Sequence, residues 1–265
     1  MDWTASDPTG AWARWRARTP DLRQKLASHL SRELAQRGQT RVVVGLSGGL
    51  DSTVAASLCV QVLGAANVLG VLLPYRTSDP QSLSSAQGIV NTMGITSRRV
   101  NISPMVDAYF ANFPDASRER RAARMAWERL SILHDFGAHY GGVVLQLVNR
   151  TDLALDFGPE PRLPALAFRL FEGLYKSQLR LIGQDLAIPQ PVLDRRPSVD
   201  AYPGQADEAE LGAGYDVLDP ALDWLLDQNG AAAGAVALGL PPDVLEKVGI
   251  RLERRREAPL PAAFA

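Results

Sequence analysis

The sequence predicts an α/β fold with a doubly wound parallel sheet. Short apolar segments rich in valine and leucine alternate along the chain with longer amphipathic segments. Such short runs are typical of parallel strands buried on both faces, and apolar residues repeating every three or four positions are typical of helices. A glycine-rich turn joins the first apolar run to a helical segment. Alternating strands and helices favour a parallel sheet that binds ligands at the carboxyl ends of its strands.

The individual elements follow from the same periodicities. Leucines at helical spacing predict a helix over 21–37 behind Pro20, ending before Gly38. Strands are predicted at 42–44, 67–73, 97–102 and 142–148, with further helices after Asp51, at 82–93 and at 118–136. We expect one domain over 1–265, with an N-terminal extension at 1–20 and a C-terminal part from about residue 190.

The composition is typical of an enzyme with a full core. The chain has 265 residues, 46% hydrophobic residues and a net charge of −1. The basic stretches at 118–124 and 251–256 are short, so we expect no nucleic-acid partner. No apolar run reaches the roughly 18 residues of a membrane span, and no membrane partner is expected. The one cysteine, Cys59, excludes an internal disulfide and fits a reducing compartment, so a cytoplasmic location is predicted.

The most informative segment lies between the first strand and its helix, and reads Ser47-Gly48-Gly49-Leu50-Asp51-Ser52. Two adjacent glycines can take positive φ and direct backbone N–H groups at one oxyanion, which the helix N-terminus also attracts. A Walker-type loop would have lysine where Asp51 stands. Because a carboxylate repels phosphate, we expect Asp51 to bind Mg²⁺, with Ser47 and Ser52 donating to phosphate oxygens. The alternative is a glycine turn without a ligand.

This loop resembles the pyrophosphate-binding loop of the ATP pyrophosphatases, which include the NAD, GMP and asparagine synthetases. Three later segments narrow the resemblance to NAD synthetases: GLYKSQL at 173–179, RPSVD at 196–200 and PGQADEAELG at 203–212. They are similar to the family motifs G-D-L-Y-K-T-Q-V, P-P-S-A-D-L and P-G-Q-T-D-E-x-E-L-G. The resemblance covers about residues 20 to 260, and the lack of a glutaminase domain makes it similar to the ammonia-dependent form.

The resemblance implies a set of site residues. ATP would be bound by Gly45, Leu46, Ser47, Gly48, Gly49, Leu50, Asp51, Ser52, Lys176 and Ser198. Asp51 and Asp152 would bind Mg²⁺, and Lys176 would stabilise the charge that builds as pyrophosphate leaves, which makes Asp51 and Lys176 the candidate catalytic residues. The acid substrate, deamido-NAD, would be bound by Arg124, Asp207, Glu208, Arg254 and Arg255.

Each assignment has an ordinary structural alternative. Lys176 would otherwise be a solvated surface lysine, and Ser198 a helix cap. Asp207 and Glu208 would be acids in the first turn of a helix. The resemblance also implies a homodimer with the dinucleotide site across the interface. Apolar residues of the long predicted helix could bury against that partner or face the sheet: Leu130, Ile132, Leu133 and Phe136.

Several family positions are changed, mostly on the side that would hold deamido-NAD. An arginine becomes Ala122, a lysine becomes Glu160 and an aspartate becomes Ala167, whereas Asp152 replaces a glutamate and keeps its charge. The leading hypothesis is an NH₃-dependent NAD synthetase that uses ATP and ammonia. The second is an adenylating ligase for a different carboxylic acid. The third is a paralogue that binds nucleotide without turnover.

Overall fold

The computed structural model describes residues 7, 9–156, 167–198 and 207–254. Within them, five parallel strands form one sheet in the order β3-β2-β1-β4-β5. The strands are β1 (Val42–Gly45), β2 (Val68–Leu72), β3 (Thr96–Arg99), β4 (Val143–Asn149) and β5 (Ala167–Phe171). The predicted doubly wound parallel sheet is confirmed. The strand order reverses between β1 and β4, and this switch point is where such sheets bind ligands.

Helices cover both faces of the sheet and form the C-terminal part. They are α1 (Ala11–Gln36), α2 (Leu50–Leu63), α3 (Pro80–Met93), α4 (Ser103–Phe110), α5 (Arg118–Tyr140), α6 (Arg150–Leu155), α7 (Lys176–Asp185), α8 (Gln190–Leu193), α9 (Asp207–Leu211), α10 (Tyr215–Leu222), α11 (Ala232–Ala237) and α12 (Pro242–Arg254). A 3₁₀ turn at Ala65–Asn67 precedes β2, and a π-helical turn at Asp223–Asp227 continues α10. In the described ranges, none of these helices has the length and apolarity needed to cross a bilayer.

Successive residues of β1 supply the cores on the two faces of the sheet. Val42 and Val44 pack with apolar side chains of α1, α2 and α7. Val43 packs on the opposite face with side chains of α4 and α5. This division follows from the two-residue repeat of a strand, and it explains why the run is continuously apolar. The carboxyl end of β1 is therefore held rigidly from both sides.

The first helix starts earlier than the sequence predicted. It begins at Ala11 and continues through Pro20, although proline costs about 3 kcal/mol in a helix interior. Trp12 and Trp15 are 3% and 6% exposed and pack with apolar residues of the C-terminal helices, including Leu218. Burial of two indole rings offsets the cost of the proline. Residues 11–20 are thus part of the packed structure rather than an extension.

Candidate nucleotide site

The glycine loop joins β1 to α2 and requires one of its glycines. Gly48 has φ +76°, and a Cβ atom there would lie 2.3 Å from the backbone oxygen of Ser82 in α3. Gly49 is instead extended, with φ −89° and ψ 173°, and directly precedes α2. Of the two glycines that can take positive φ, only Gly48 does so. The close approach of α3 is the second reason for glycine at position 48.

Hydrogen bonds within the loop fix its shape. The Ser52 hydroxyl donates to the Gly49 carbonyl at 3.1 Å and lies 3.2 Å from the Ser47 hydroxyl, while the Gly49 N–H donates to Ser47 at 3.3 Å. Ser52 is 3% exposed, whereas Ser47 is exposed. Ser47 is therefore accessible for the predicted phosphate contact. The buried Ser52 hydroxyl instead stabilises the loop by bonding within it.

Asp51 and Lys176 form a nearly buried ion pair beside this loop. The Lys176 Nζ atom lies 2.7 Å from Asp51 Oδ2, and the two side chains are 16% and 15% exposed. Asp51 lies in the first turn of α2, so the helix predicted to follow this residue already includes it. Its Oδ2 atom also accepts from the Asn149 side chain at 3.1 Å, whereas its buried Oδ1 atom has no hydrogen-bond partner in the described structure.

Asp152 completes a charged cluster around the same lysine. Burial raises the pKa of Asp152 to about 7, with Asp51 and Asp207 acting in the same direction and Lys176 opposing them. Burial alone would lower the pKa of Lys176, but Asp51 and Asp152 more than offset it, so this pKa lies above its ordinary value. Lys176 therefore stays cationic at neutral pH among several acids, and the site favours a further cation.

The carboxyl end of β4 holds Asp152 through a capping box. The Asn149 side-chain oxygen accepts from the Asp152 N–H at 3.0 Å, and the Asp152 carboxylate accepts from the Asn149 N–H at 3.3 Å. Reciprocal bonds of this type fix the start of a helix. Because Asn149 also donates to Asp51, it links the two acids across the switch point between β1 and β4.

An apolar cleft opens next to the glycine loop, between the ends of β1 and β2. Its lining comprises Gly45, Leu46, Ser47, Val71, Leu72, Leu73, Pro74, Ser78, Ser82, Leu83, Arg129, Leu133 and Ser198. Ser198 is exposed at the rim, and Arg129 donates to the Leu73 carbonyl at 3.2 Å. Four of the predicted ATP-binding residues therefore border one cleft: Gly45, Leu46, Ser47 and Ser198.

The residues predicted to hold the acid substrate are more scattered. Arg124 lies on α5, pairs with Glu128 at 2.5 Å and does not line the cleft. Asp207 is buried and accepts from the Tyr215 hydroxyl at 3.3 Å, and Glu208 accepts from the Tyr215 N–H at 3.2 Å. Arg255, Glu160 and the side chain of Arg254 lie outside the described residues, as does that of Ala167.

Three functional groups of this site escaped sequence reasoning. Asn149 follows an apolar strand, which is the only local signal for its bridging role. Asp219 is fully buried and accepts hydrogen bonds next to Lys176, but it lies far along the chain in α10 and belongs to no motif. Arg129 reaches the cleft from a long charged helix whose other arginines face elsewhere. These contacts depend on packing between distant segments, so no spacing rule could find them.

The parallel sheet thus carries an acid-bearing glycine loop at its switch point, with a nearly buried lysine beside that acid. The family model described as NAD synthase matches residues 22–257. The chain therefore belongs to the NAD synthase family, whose members are ligases. The resemblance read from the loop and the three later motifs is confirmed.

Relatives in sequence and structure agree with this family. A protein from Trichlorobacter lovleyi named NH(3)-dependent NAD(+) synthetase is 38% identical over 86% of this chain and 83% of its own length. A protein of the same name from Chlorobaculum parvum is 37% identical over 91% of this chain and 88% of its own length. The solved structure of NMN synthetase from Francisella tularensis has a TM-score of 0.77 and 25% identity, covering 93% of this chain and 98% of its own.

Proposed function

We propose that this protein is an ammonia-dependent NAD synthetase, which converts deamido-NAD, ATP and ammonia to NAD, AMP and pyrophosphate. The observation that carries the proposal is the Asp51–Lys176 ion pair, with Asp152 beside it, next to the glycine loop. Membership of a family whose relatives carry this activity in their names supports it. In this reaction the substrate carboxylate attacks the α-phosphate of ATP and displaces pyrophosphate. Ammonia then attacks the acyl adenylate and releases AMP.

The geometry supports one orientation for ATP. The apolar cleft between the ends of β1 and β2 suits the base, because apolar walls with a few polar groups are typical of small-molecule sites. The phosphates would then lie on the glycine loop and the N-terminus of α2, where backbone N–H groups and the helix dipole attract anions. Ser47 and Ser198 line the cleft near this end and can donate to phosphate oxygens.

Asp51 and Asp152 are suited to hold Mg²⁺. Both present carboxylate oxygens, which Mg²⁺ prefers, and the buried Oδ1 atom of Asp51 has no hydrogen-bond partner in the described structure. Among the described residues no group of three His, Cys, Asp or Glu side chains forms a complete metal site. Mg²⁺ commonly needs only one or two protein carboxylates, because substrate phosphates and water fill its remaining positions. Bound there, it would neutralise phosphate charge as pyrophosphate leaves.

Lys176 supplies the positive charge of the protein itself. Its ammonium group is held at the start of α7 by two acids and is largely shielded from bulk water. Charge stabilisation by a fixed group in a water-poor site is a large part of catalysis, since the group pays no reorganisation energy during the reaction. We therefore expect Lys176 to act mainly on the departing pyrophosphate, and the loop to hold it in line.

The activity is tested by chromatography of NAD formed from deamido-NAD, ammonia, ATP and Mg²⁺ by the purified protein. Replacing Lys176 by Met should lower kcat at least about a hundredfold, as for other transition-state charges. Lys247→Met is the matched control, because Lys247 is an exposed lysine that pairs only loosely with Asp243 at 3.9 Å. Absence of NAD from wild-type protein that binds ATP would contradict the proposal.

A ligase for a different acid is the second candidate. The similarity to a protein titled NMN synthetase favours it, together with the changes at Ala122 and Glu160 on the side that would hold the dinucleotide. The test compares kcat/KM for deamido-NAD with kcat/KM for the deamido form of NMN. A higher value for the mononucleotide would replace the first proposal with this one. Turnover of either acid would exclude the non-catalytic paralogue.

A homodimer is also proposed, on the resemblance and on three exposed aromatic side chains, on α4, on α5 and between these helices. Tyr109, Phe113 and Trp127 are 39%, 40% and 44% exposed. Three of the four helix residues considered above for a partner pack in the sheet core: Leu133 is buried there, and Ile132 and Phe136 pack against it. Light scattering at micromolar concentration should give a dimer mass that Trp127→Arg lowers.

Ile250→Arg is the matched control for the dimer, because Ile250 is equally exposed, on α12. A monomer mass for the wild type would contradict the dimer.

The single domain over 1–265 is supported by the packing of Trp12 and Trp15 against C-terminal helices. The cytoplasmic location rests on the cysteine content alone and stays a prediction.

A further inference from the structure

A buried carboxylate joins the two segments that carry Asp152 and Lys176. Asp219 is fully buried in α10, and its Oδ1 atom accepts from the Thr151 hydroxyl at 2.6 Å. Its Oδ2 atom accepts from the Ser177 N–H at 2.7 Å. The Thr151 oxygen in turn accepts from the Lys176 N–H at 3.0 Å. Thr151 precedes Asp152 and Ser177 follows Lys176, so one junction fixes the backbone beside both functional side chains.

The hydrogen bonds of Asp219 with Thr151 and Ser177 connect three helices. α6 follows β4 and α7 follows β5, and the Thr151 hydroxyl bonds both to α7 and to Asp219 of α10. The Ser177 hydroxyl adds a bond to the Tyr215 carbonyl at 3.0 Å, at the start of α10. Thr151, Ser177, Tyr215 and Asp219 are all buried, where hydrogen bonds are strong and an unpaired group is costly.

We infer that Asp219 is a positioning residue, which acts through Thr151 and Ser177 to fix Lys176 relative to Asp51 and Asp152. The inference rests on the proposed function, because it concerns the same phosphate site. Lys176 must reach both the acids and the leaving phosphate, and displacement of a catalytic group by about 1 Å can cost a factor of about 100. The C-terminal part of the chain thereby contributes to catalysis without contacting substrate.

Variants at Thr151 separate positioning from simple stability. Thr151→Val keeps the shape but removes the hydroxyl that joins Lys176 to Asp219, so kcat should fall about ten- to a hundredfold. KM for ATP should change less than kcat, because the lost interaction acts mainly on the transition state. Thr151→Ser restores the hydroxyl and should keep kcat within about threefold of the wild type.

Thr19→Val is the matched control for loss of a buried threonine hydrogen bond. The Thr19 hydroxyl donates to the Trp15 carbonyl at 2.8 Å within α1, away from the site. This variant should lower the unfolding temperature but leave kcat unchanged. Asp219→Asn is the second probe if Thr151→Val fails to fold. Its amide would donate towards Thr151, so the Thr151 oxygen would have to accept twice, and kcat should again fall.

A spectroscopic measurement makes the test independent of turnover. The chain has only three lysines, Lys25, Lys176 and Lys247. Protein labelled with ¹⁵N,¹³C-lysine therefore gives three resolvable amide signals and three resolvable Cε signals in NMR spectra. Without ligand, Thr151→Val should shift the amide and Cε signals of Lys176 and leave those of Lys25 and Lys247 in place. Lys176→Met assigns the signals by loss.

The outcomes distinguish the inference from the proposed function. A wild type that forms no NAD contradicts the proposed activity, and the ligand-free Lys176 Cε shift still decides the positioning. An unmoved Cε signal in folded Thr151→Val would overturn the inference. So would a kcat within about threefold of the wild type in an active enzyme. A reduced kcat in Thr19→Val as large as that in Thr151→Val would also overturn it, since stability alone would then explain both.

Discussion

The Asp51–Lys176 ion pair should contribute measurably to folding as well as to the site. At 2.7 Å and an effective dielectric constant of 20, the Coulomb attraction is about 6 kcal/mol. Both side chains retain some exposure, and removing one partner of a buried pair costs about 3–5 kcal/mol. Because Asp152 still faces Lys176 in Asp51→Ala, we expect this variant to lose about 2–4 kcal/mol of unfolding free energy.

A double-mutant cycle isolates the interaction. Lys176→Met leaves two acids without their shared cation and should also destabilise the protein. The double variant removes the cation together with one of its acids, so its loss should be smaller than the sum of the single losses. We expect a coupling of about 2–3 kcal/mol from urea unfolding followed by circular dichroism at neutral pH without Mg²⁺.

An exposed pair provides the control for this cycle. Lys247 and Asp243 lie 3.9 Å apart with exposed side chains, so their coupling should stay below about 0.5 kcal/mol. A coupling that small between Asp51 and Lys176 would refute the reasoning, because it would show that water screens the pair as it does on the surface. Such a result would also weaken the case for a water-poor phosphate site.

Three further predictions concern the loop, pH dependence and the first helix. Gly48→Ala should lose ATP binding, measured by thermal shift, because the added Cβ would clash with Ser82. Gly64→Ala is the control, since Gly64 also has positive φ but a Cβ there would meet no other atom. An equal loss of ATP binding in Gly64→Ala would contradict the prediction. Burial raises the pKa of Asp219 to about 6, so its contribution to unfolding free energy should fall by about 3 kcal/mol as pH rises from about 4 to 6. Asp219→Asn should not show this fall. If the unfolding free energies of Asp219→Asn and the wild type, measured in urea, changed in parallel with pH, the prediction would be wrong. Pro20→Ala should raise stability by about 1 kcal/mol, since the helix continues through that position; a loss would favour a helix start at residue 21.

Local sequence was sufficient for the glycine loop and most of the sheet. The strand, turn and helix around residues 42–63 are contiguous, so residue type and order fix their geometry. β3 is shorter than predicted, ending at Arg99, because its pairing with β2 ends there. The fifth strand, Ala167–Phe171, was not predicted, since the segment was interpreted only through its departures from a motif.

The sequence by itself determined the fold class and the family and proposed Asp51, Asp152 and Lys176 as site residues, because short-range patterns and motif order carry that information. Only the tertiary structure decided that Ser52 faces inward, that α1 passes through Pro20 and that Asp219 joins the segments beside the site. The physical reason is that burial and hydrogen bonding of these residues depend on partners from distant segments. A carboxylate in α10 becomes part of the site only when the chain has folded around it.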